Sequence, residues 1–518
     1  MKTSRREWLR TGLGAAAGGA ALASAGTVLT PSPLVAQPPT RSRNARLGGL
    51  LSQLGQQAAW TSPELRLLRR TSHGQTAAQV ARALDLGYEA YLEEQLNPQR
   101  LDDSACENHL AATYRDLLAL TPRQAMNIAD SGSPYFQIIR PLGRMTVERA
   151  ILSERSLLER MVEFWSDHFH VPIDGAYSLK LFHQQQVIRP NALGKVSDLI
   201  HASMRSSAML WYLDQVWNTK WGINENYARE LMELHTLGWD GGYSQSDVRE
   251  LARVLTGWSV DGQGIFQYKA DLHDFDAKTV LGMTFPARAP GTGTAGMDEG
   301  IAFAAMLANH PATKRFIAAK LLRWFVRPDP TEAQIGTVVT AYTRSGGDIK
   351  AMLRAVLSRE QLMRAPAKLK RPLHLMVSAL RTTGARAVPV VDVRRDFDGL
   401  YFPLEAMGHR VGGWPTPDGY PDRAEFWAGM IIDRWNNVNT VLQVANTGSG
   451  WTIVDLALFM TTPTVDGVVD AIRERLFGGE MSADLEAELR TLLAADVSRS
   501  RVLDALQLAT MAPEFQFY

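Results

Sequence analysis

NENYARELMELHTLGWDGGYSQSDVRELARVLTGW, Asn224 to Trp258, decides the fold class. Advancing about 100° per residue through Glu225–Leu237 puts Tyr227, Ala228, Leu231, Leu234 and His235 on one arc. Glu225, Asn226, Arg229, Glu230 and Glu233 fall on the opposite arc. That is the pattern of an amphipathic α-helix, and a second charged helix is expected over Ser244–Leu255. Glu225 and Arg229 form an i,i+4 pair, worth about 0.3 kcal/mol if exposed. His235, set in the apolar arc, reads as a core histidine.

Helical patterning extends on both sides of this hairpin. Ser62 and Pro63 in SPELRLLRR read as an N-cap and first helical position. From Thr76 two helices are expected, split near Gly87 and stopped at Asn97-Pro98. Further helices are predicted at Asp103–Leu118, Thr146–His170, Ser178–Val187 and Val196–Ser203. Towards the C-terminus they are predicted at Asp298–Asn309, Ala312–Phe325, Glu332–Ser345, Asp348–Leu357, Leu373–Thr383, Arg423–Ala445, Val465–Leu476 and Met481–Leu493. Residues 256–297 are Gly-rich, and IFQYKA and KTVLGMTF read there as one or two short strands with a long loop. The expectation is a mostly α, multi-helix globular domain with a small β/loop insertion. No tandem repeat appears.

The chain has 518 residues, 45% hydrophobic and 21% charged, with a formal net charge of +1. No basic field suggests nucleic acid. The N-terminus skews the balance, because Lys2, Arg5, Arg6 and Arg10 face only Glu7. Without residues 1–36, 55 basic residues become 51 and 54 acidic become 53, so the remainder carries about −2. SRREWLR, Ser4 to Arg10, is a twin-arginine pattern, and the Ala- and Gly-rich Thr11–Leu29 follows as a weak apolar region. Cleavage after Ala25 or after Ala36 fits the small-residue zone. The expected organisation is a signal peptide at 1–36, a linker at 37–60 and one helical domain at 61–518. The expected address is periplasmic or secreted, with the twin-arginine translocase as a partner.

The single cysteine, Cys106, excludes an internal disulfide, a thiolate-held iron–sulfur cluster and covalently attached haem. Any cofactor must be held by His and carboxylates, which suit Fe, Mn or Zn. Glu159–His170, ERMVEFWSDHFH, is a source of such ligands. Met161, Phe164, Trp165, His168 and Phe169 share an apolar side, while Glu159, Glu163, Asp167 and His170 line the other. Asp167-x-x-His170 with Glu163 one turn earlier resembles the ligand supply of di-metal helical bundles. Glu230 and Glu233 from the opening helix could complete a metal set of Glu163, Asp167, His170, Glu230 and Glu233. Glu230 and Glu233 are also the candidate general bases, with Arg229 to orient an anionic group. The competing reading is that both carboxylate stripes are solvated or salt-bridged.

Three loops add candidates. HDFDAK, His273 to Lys278, collects His, two Asp and Lys. HPATKRF at His310 reads as a turn into a helix, with Pro311 at its first position. GGWPTPDGYPD, Gly412 to Asp422, reads as a packed connector or as the rim of a cleft. No Gly-x-Ser-x-Gly elbow, dinucleotide fingerprint, P-loop or His-Glu-x-x-His occurs.

The opening stretch resembles the hallmark of a bacterial family catalogued as domain of unknown function 1800. LRLLRRTSHG at Leu65, FWSDHFHVP at Phe164, AMLWYLD at Ala208 and HDFDAKTVLG at His273 resemble family blocks in family order. So do HPATKRFIAAKLLRWFV at His310, GWPTPDGYPD at Gly413 and MAPEFQ near the end. The resemblance covers roughly residues 61–518 and implies one family-length unit, with no catalytic residue to carry over. It also implies export and a neighbouring exported family, domain of unknown function 1501, that resembles the phosphatase and sulfatase fold. Two functions follow as expectations: a metal-assisted exported enzyme acting on an envelope or extracellular polymer, or a non-catalytic helical partner of a secreted phosphatase/sulfatase-like protein.

Overall fold

Ser62, Thr76, Thr121, Ser244, Thr331 and Ser482 each turn a side-chain oxygen onto the first turn of the helix that follows. Helices so begun make up most of the computed structural model, which describes residues 60–291, 293–387, 401–428, 431–443, 451–452 and 454–518. The expected signal peptide and all but the last residue of the linker lie outside the described residues. Among the described residues, the β-structure is limited to three short antiparallel pairs, and the fold is mostly α as expected. Two of those pairs, Trp258–Val260 with Phe266–Tyr268 and Lys278–Val280 with Met283–Phe285, occupy the predicted insertion. No helix among the described residues is long and apolar enough to cross a membrane.

The opening stretch forms a helical hairpin: Asn226–Glu233, a link with Gly238 and Gly242 at positive φ, and Gln245–Val254. Tyr227, Ala228 and Leu231 are buried, while Glu225, Arg229, Glu230 and Glu233 are half-buried. Pro63–Thr71 begins at Ser62 and Pro63, and Pro311–Phe325 begins at His310, as expected. The split near Gly87 also stands, between Ala77–Leu86 and Tyr88–Leu96.

The run predicted as a single helix over Thr146–His170 is two helices, Arg140–Leu152 and Ser156–His168. Buried Asp103 accepts from Ser153 Oγ at 2.9 Å and from the Glu154 backbone N–H at 2.8 Å. Arg381 donates to the carbonyls of Ile151 and Ser153 at 2.6 and 3.1 Å. These bonds supply the groups that a continuous helix would have satisfied internally. Within the run predicted over Arg423–Ala445, Ala424–Ala428 and Ile431–Gln443 are helical, and residues 429, 430, 444 and 445 lie outside the described residues.

Apolar side chains gather into two large cores. The larger draws on residues from Leu65 to Ala365 and includes Met161, Phe164 and Trp165 of the Ser156–His168 helix. The second joins Val147 and Ile151 to residues from Leu373 to Phe515, including most of the Pro372–Thr382 helix. That helix is buried on every side, which marks it as an internal element rather than an amphipathic surface one. The polar faces of Ser156–His168 and Pro372–Thr382 meet at the seam between the two cores.

Candidate active site at the seam of two cores

Three ligand-type side chains converge at the seam. His73 follows the Pro63–Thr71 helix, Glu163 lies mid-way along Ser156–His168, and His374 is in the first turn of Pro372–Thr382. One ligand atom from each lies within 4.8 Å of the others, the one such group found among the described residues. Glu163 Oε2 is 2.9 Å from His73 Nε2 and 2.8 Å from His374 Nε2. The two imidazole rings stand edge to face with centroids 5.3 Å apart.

Guanidinium groups surround this carboxylate. Arg160 and Arg371 come within 3.6 and 3.5 Å of Glu163, and both are almost fully buried. Arg371 also donates to Asp167 Oδ2 at 2.6 Å and lies over the Trp324 ring at 4.4 Å. Arg160 donates to His374 Nδ1 at 2.8 Å and to Tyr518 Oη at 3.2 Å, and it also contacts His374 Nε2. These partners assign His374 as the neutral tautomer, donating from Nε2 to Glu163 and accepting at Nδ1. Burial pushes both His73 and His374 below the usual imidazole range, His374 the further. Burial alone would raise the Glu163 carboxyl, but His374 and His73 hold it well below its ordinary value. Burial raises Asp167 above its ordinary value against the pull of Arg371.

Beside the triad opens a cavity of about 80 Å³, room for roughly three waters at ~30 Å³ each. Glu163, Asp167, His73, His170, His409 and Lys180 supply its ionisable wall, together with Glu159, Arg149 and Arg189. Leu142, Met145, Val162, Ile173, Leu373 and Val411 form apolar walls. The loop from Gly412 to Asp422 closes one side: Gly412 and Tyr420 line the cavity, and Trp414 O accepts from His170 Nε2 at 2.7 Å. Gly419 packs so tightly on the end of the Ser156–His168 helix that a Cβ there would lie 2.2 Å from Asp167 O. The loop is thus both a packed connector and a wall of the cavity.

Of the sequence-predicted metal ligands, Glu163, Asp167 and His170 all reach this cavity. They do not form one ligand group. Asp167 is engaged by Arg371, and the helix stops at His168, so His170 turns away to bond Trp414. Glu230 and Glu233 are not among the cavity's lining residues. They sit on the opening hairpin, where Glu233 accepts from Tyr243 Oη at 3.4 Å. Arg229 pairs with Glu225 at 3.1 Å, with side chains 38% and 30% exposed, a surface pair of small energetic weight. His235 is fully buried as expected, tilted against the rings of His168 and Phe169, but neither ring nitrogen has a hydrogen-bond partner among the described residues. The HDFDAK residues serve the fold: Asp274 pairs with Arg253 at 2.7 Å, Lys278 with Glu299 at 3.0 Å, and His273 bonds Thr256 O at 2.8 Å.

Sequence reasoning missed His73, His374, Arg160, Arg371, Lys180 and His409. His73 is inside LRLLRRTSHG, one of the recognised blocks, and that was its one signal. The others stand singly in apolar or mixed stretches, where no periodicity separates a site residue from a core one.

Two neutral imidazoles and one carboxylate are a donor set suited to Fe, Mn or Zn. Metal–ligand bonds of ~2.0–2.2 Å require ligand atoms roughly 3 Å apart; Glu163 Oε2 stands at 2.9 and 2.8 Å from the two imidazoles, and all three ligand atoms lie within 4.8 Å of one another. Arg160 bears on the fit, because His374 bound through Nε2 would carry its proton on Nδ1, facing a guanidinium donor. Arg160 also lies 4.8 Å over the Trp324 ring and 5.5 Å over the Tyr518 ring, and these faces can hold it if it leaves His374.

A family model described as "Protein of unknown function (DUF1800)" matches residues 66–517. No curated protein and no solved structure matches.

Proposed function

The chain belongs to the DUF1800 family, and on that premise we propose that it is a metal-assisted exported enzyme with its active site at the seam cavity. The observation that carries this is the convergence of His73, Glu163 and His374 beside a cavity with ionisable walls. A buried ion network is a costly way to join two cores, since apolar residues of similar volume often serve as well or better. Its concentration around one cavity favours chemistry over scaffolding.

In this reading His73, Glu163 and His374 hold a divalent Fe, Mn or Zn. The ion, when bound, supplies Lewis-acid polarisation of a substrate oxygen. Asp167, raised by burial and held by Arg371, carries a proton between substrate and cavity. The apolar walls and the Gly412–Asp422 loop limit water. A cavity of about 80 Å³ admits one group of a substrate rather than a chain, so an envelope or extracellular polymer would present an end or a side group. Export rests on SRREWLR.

The Arg160–His374 contact favours a second reading, in which the network is a metal-free structural lock. The protein would then serve as a helical partner of an exported phosphatase/sulfatase-like protein of the domain of unknown function 1501 family. Metal analysis of protein purified from its exported fraction separates the two. The enzyme reading expects about one equivalent of Fe, Mn or Zn, lost in His73→Ala and His374→Ala and retained in Glu230→Ala. A folded, metal-free wild type that stays metal-free on incubation with all three ions would sink it.

A further inference from the structure

The charged groups lining the cavity are matched, with one exception. Glu159 is gripped by Arg189 through two 2.7 Å bonds, Arg149 by Glu107, Asp167 by Arg371, and Glu163 lies within 3.6 and 3.5 Å of Arg160 and Arg371. Lys180 lines the same cavity at 3% exposure, and its Nζ has neither a hydrogen-bond partner nor an ion pair among the described residues. Asp167 acts on this ammonium only from beyond bonding distance and is itself held by Arg371, and a buried ammonium with no partner at bonding distance is unfavourable unless something else supplies closer counter-charge.

The backbone that delivers Lys180 is unusual as well. Ala176, Tyr177 and Ser178 have φ of 50°, 53° and 61°, three successive non-glycine residues in left-handed conformation. L-residues visit that region singly and at a cost, and such strain persists where surrounding contacts enforce it. Here Tyr177 packs edge-on against Trp211 with centroids 4.8 Å apart, and Leu179 N–H bonds Ala176 O at 3.1 Å. The strained turn places Lys180 in the cavity wall.

We propose that the cavity receives an organic acid, its anionic oxygens bound by Lys180 and its short apolar body lying against Leu142, Met145, Val162, Ile173 and Val411. This rests on the seam cavity being the active site, and it names the substrate class: a carboxylic acid or a carboxylate-bearing group. The cavity's size suits a body of a few carbons, and its apolar walls disfavour a fully hydrated inorganic anion.

Titration calorimetry on the full chain, below pH 7, tests the proposal with three probes: butyrate, butyramide and inorganic phosphate. Butyrate should bind one-to-one, while butyramide, of the same shape without the charge, and phosphate, without the apolar body, should bind at least about ten-fold more weakly. Lys180→Met, shown folded by circular dichroism, should lose butyrate by at least about ten-fold and keep the wild-type metal content. Equal binding of butyramide, tighter binding of phosphate, or unchanged butyrate affinity in Lys180→Met overturns the proposal. So does absence of butyrate binding to the wild type; the probe comparison needs no variant to fold. Butyrate binding by a metal-free wild type would overturn the metal reading and leave this one standing; metal without butyrate binding would do the reverse.

Discussion

Lys180 illustrates how a single side chain can oppose the fold it belongs to. Burial lowers its ammonium to about 7 from an ordinary 10.5, with Asp167 opposing that shift. Between those two values the unfolded chain binds a proton that the native chain does not, so stability rises with pH across that window. Below pH 7 both states are protonated and the penalty is fully present. Lys180→Met should therefore raise the melting temperature at pH 6, with a gain on the order of 3–5 kcal/mol that fades towards pH 10.5. Thermal melts at several pH values check this. A residue retained for packing alone would destabilise on removal, so a lower melting temperature at pH 6 would count against an unpartnered ammonium. The triad behaves differently: Glu163 keeps its charge because His73, His374, Arg160 and Arg371 surround it.

At the scale of elements, the Gly412–Asp422 loop and the Ser156–His168 helix form one unit. Gly419, at φ +70°, faces the helix end where Asp167 O leaves no room for a side chain. Asp422 holds Lys368 at 2.7 Å and lies 3.6 Å from Arg371, which ties the loop to the start of the buried Pro372–Thr382 helix. Gly419→Ala should cost about 2–3 kcal/mol through overpacking and unfavourable φ. Limited proteolysis should show new cleavage within residues 413–422, and His170 should lose its bond to Trp414. Unchanged melting and proteolysis would mean that the loop does not press on the helix. The Asn224–Trp258 hairpin has the opposite character, with its acidic face half-exposed and its ion pairs local.

Across the whole molecule, buried neutral histidines set the acid limit. Burial holds His170, His235 and His409 at about 3 and pushes His168, His183 and His374 well below the usual range. As pH falls through 6.5 the unfolded chain takes up protons that these native imidazoles refuse, so stability falls. Each fully developed difference contributes about 1.4 kcal/mol per pH unit. Glu163, whose native carboxyl is depressed, adds stability that is present above about pH 4.5 and lost as pH falls below it. The melting temperature should therefore begin to fall between pH 6.5 and 5, before carboxylates titrate. A curve flat down to pH 4.5 would contradict neutral buried histidines.

By itself the sequence determined the helical class, the capped start at Ser62, the helix start at Pro311, the break at Gly87 and the β insertion at 256–297. Each follows from local periodicity, capping and glycine, which act over a few residues. It also put Glu163, Asp167 and His170 on one face, because their spacing along one segment is visible in one dimension, and all three line the cavity. Only the tertiary structure decided that Glu163 meets His73 and His374, that Asp167 meets Arg371, and that Glu230 and Glu233 lie away from the cavity. Those partners come from segments 90 to 211 residues from Glu163, and the packing of two separate cores, which no local pattern encodes, brings them together.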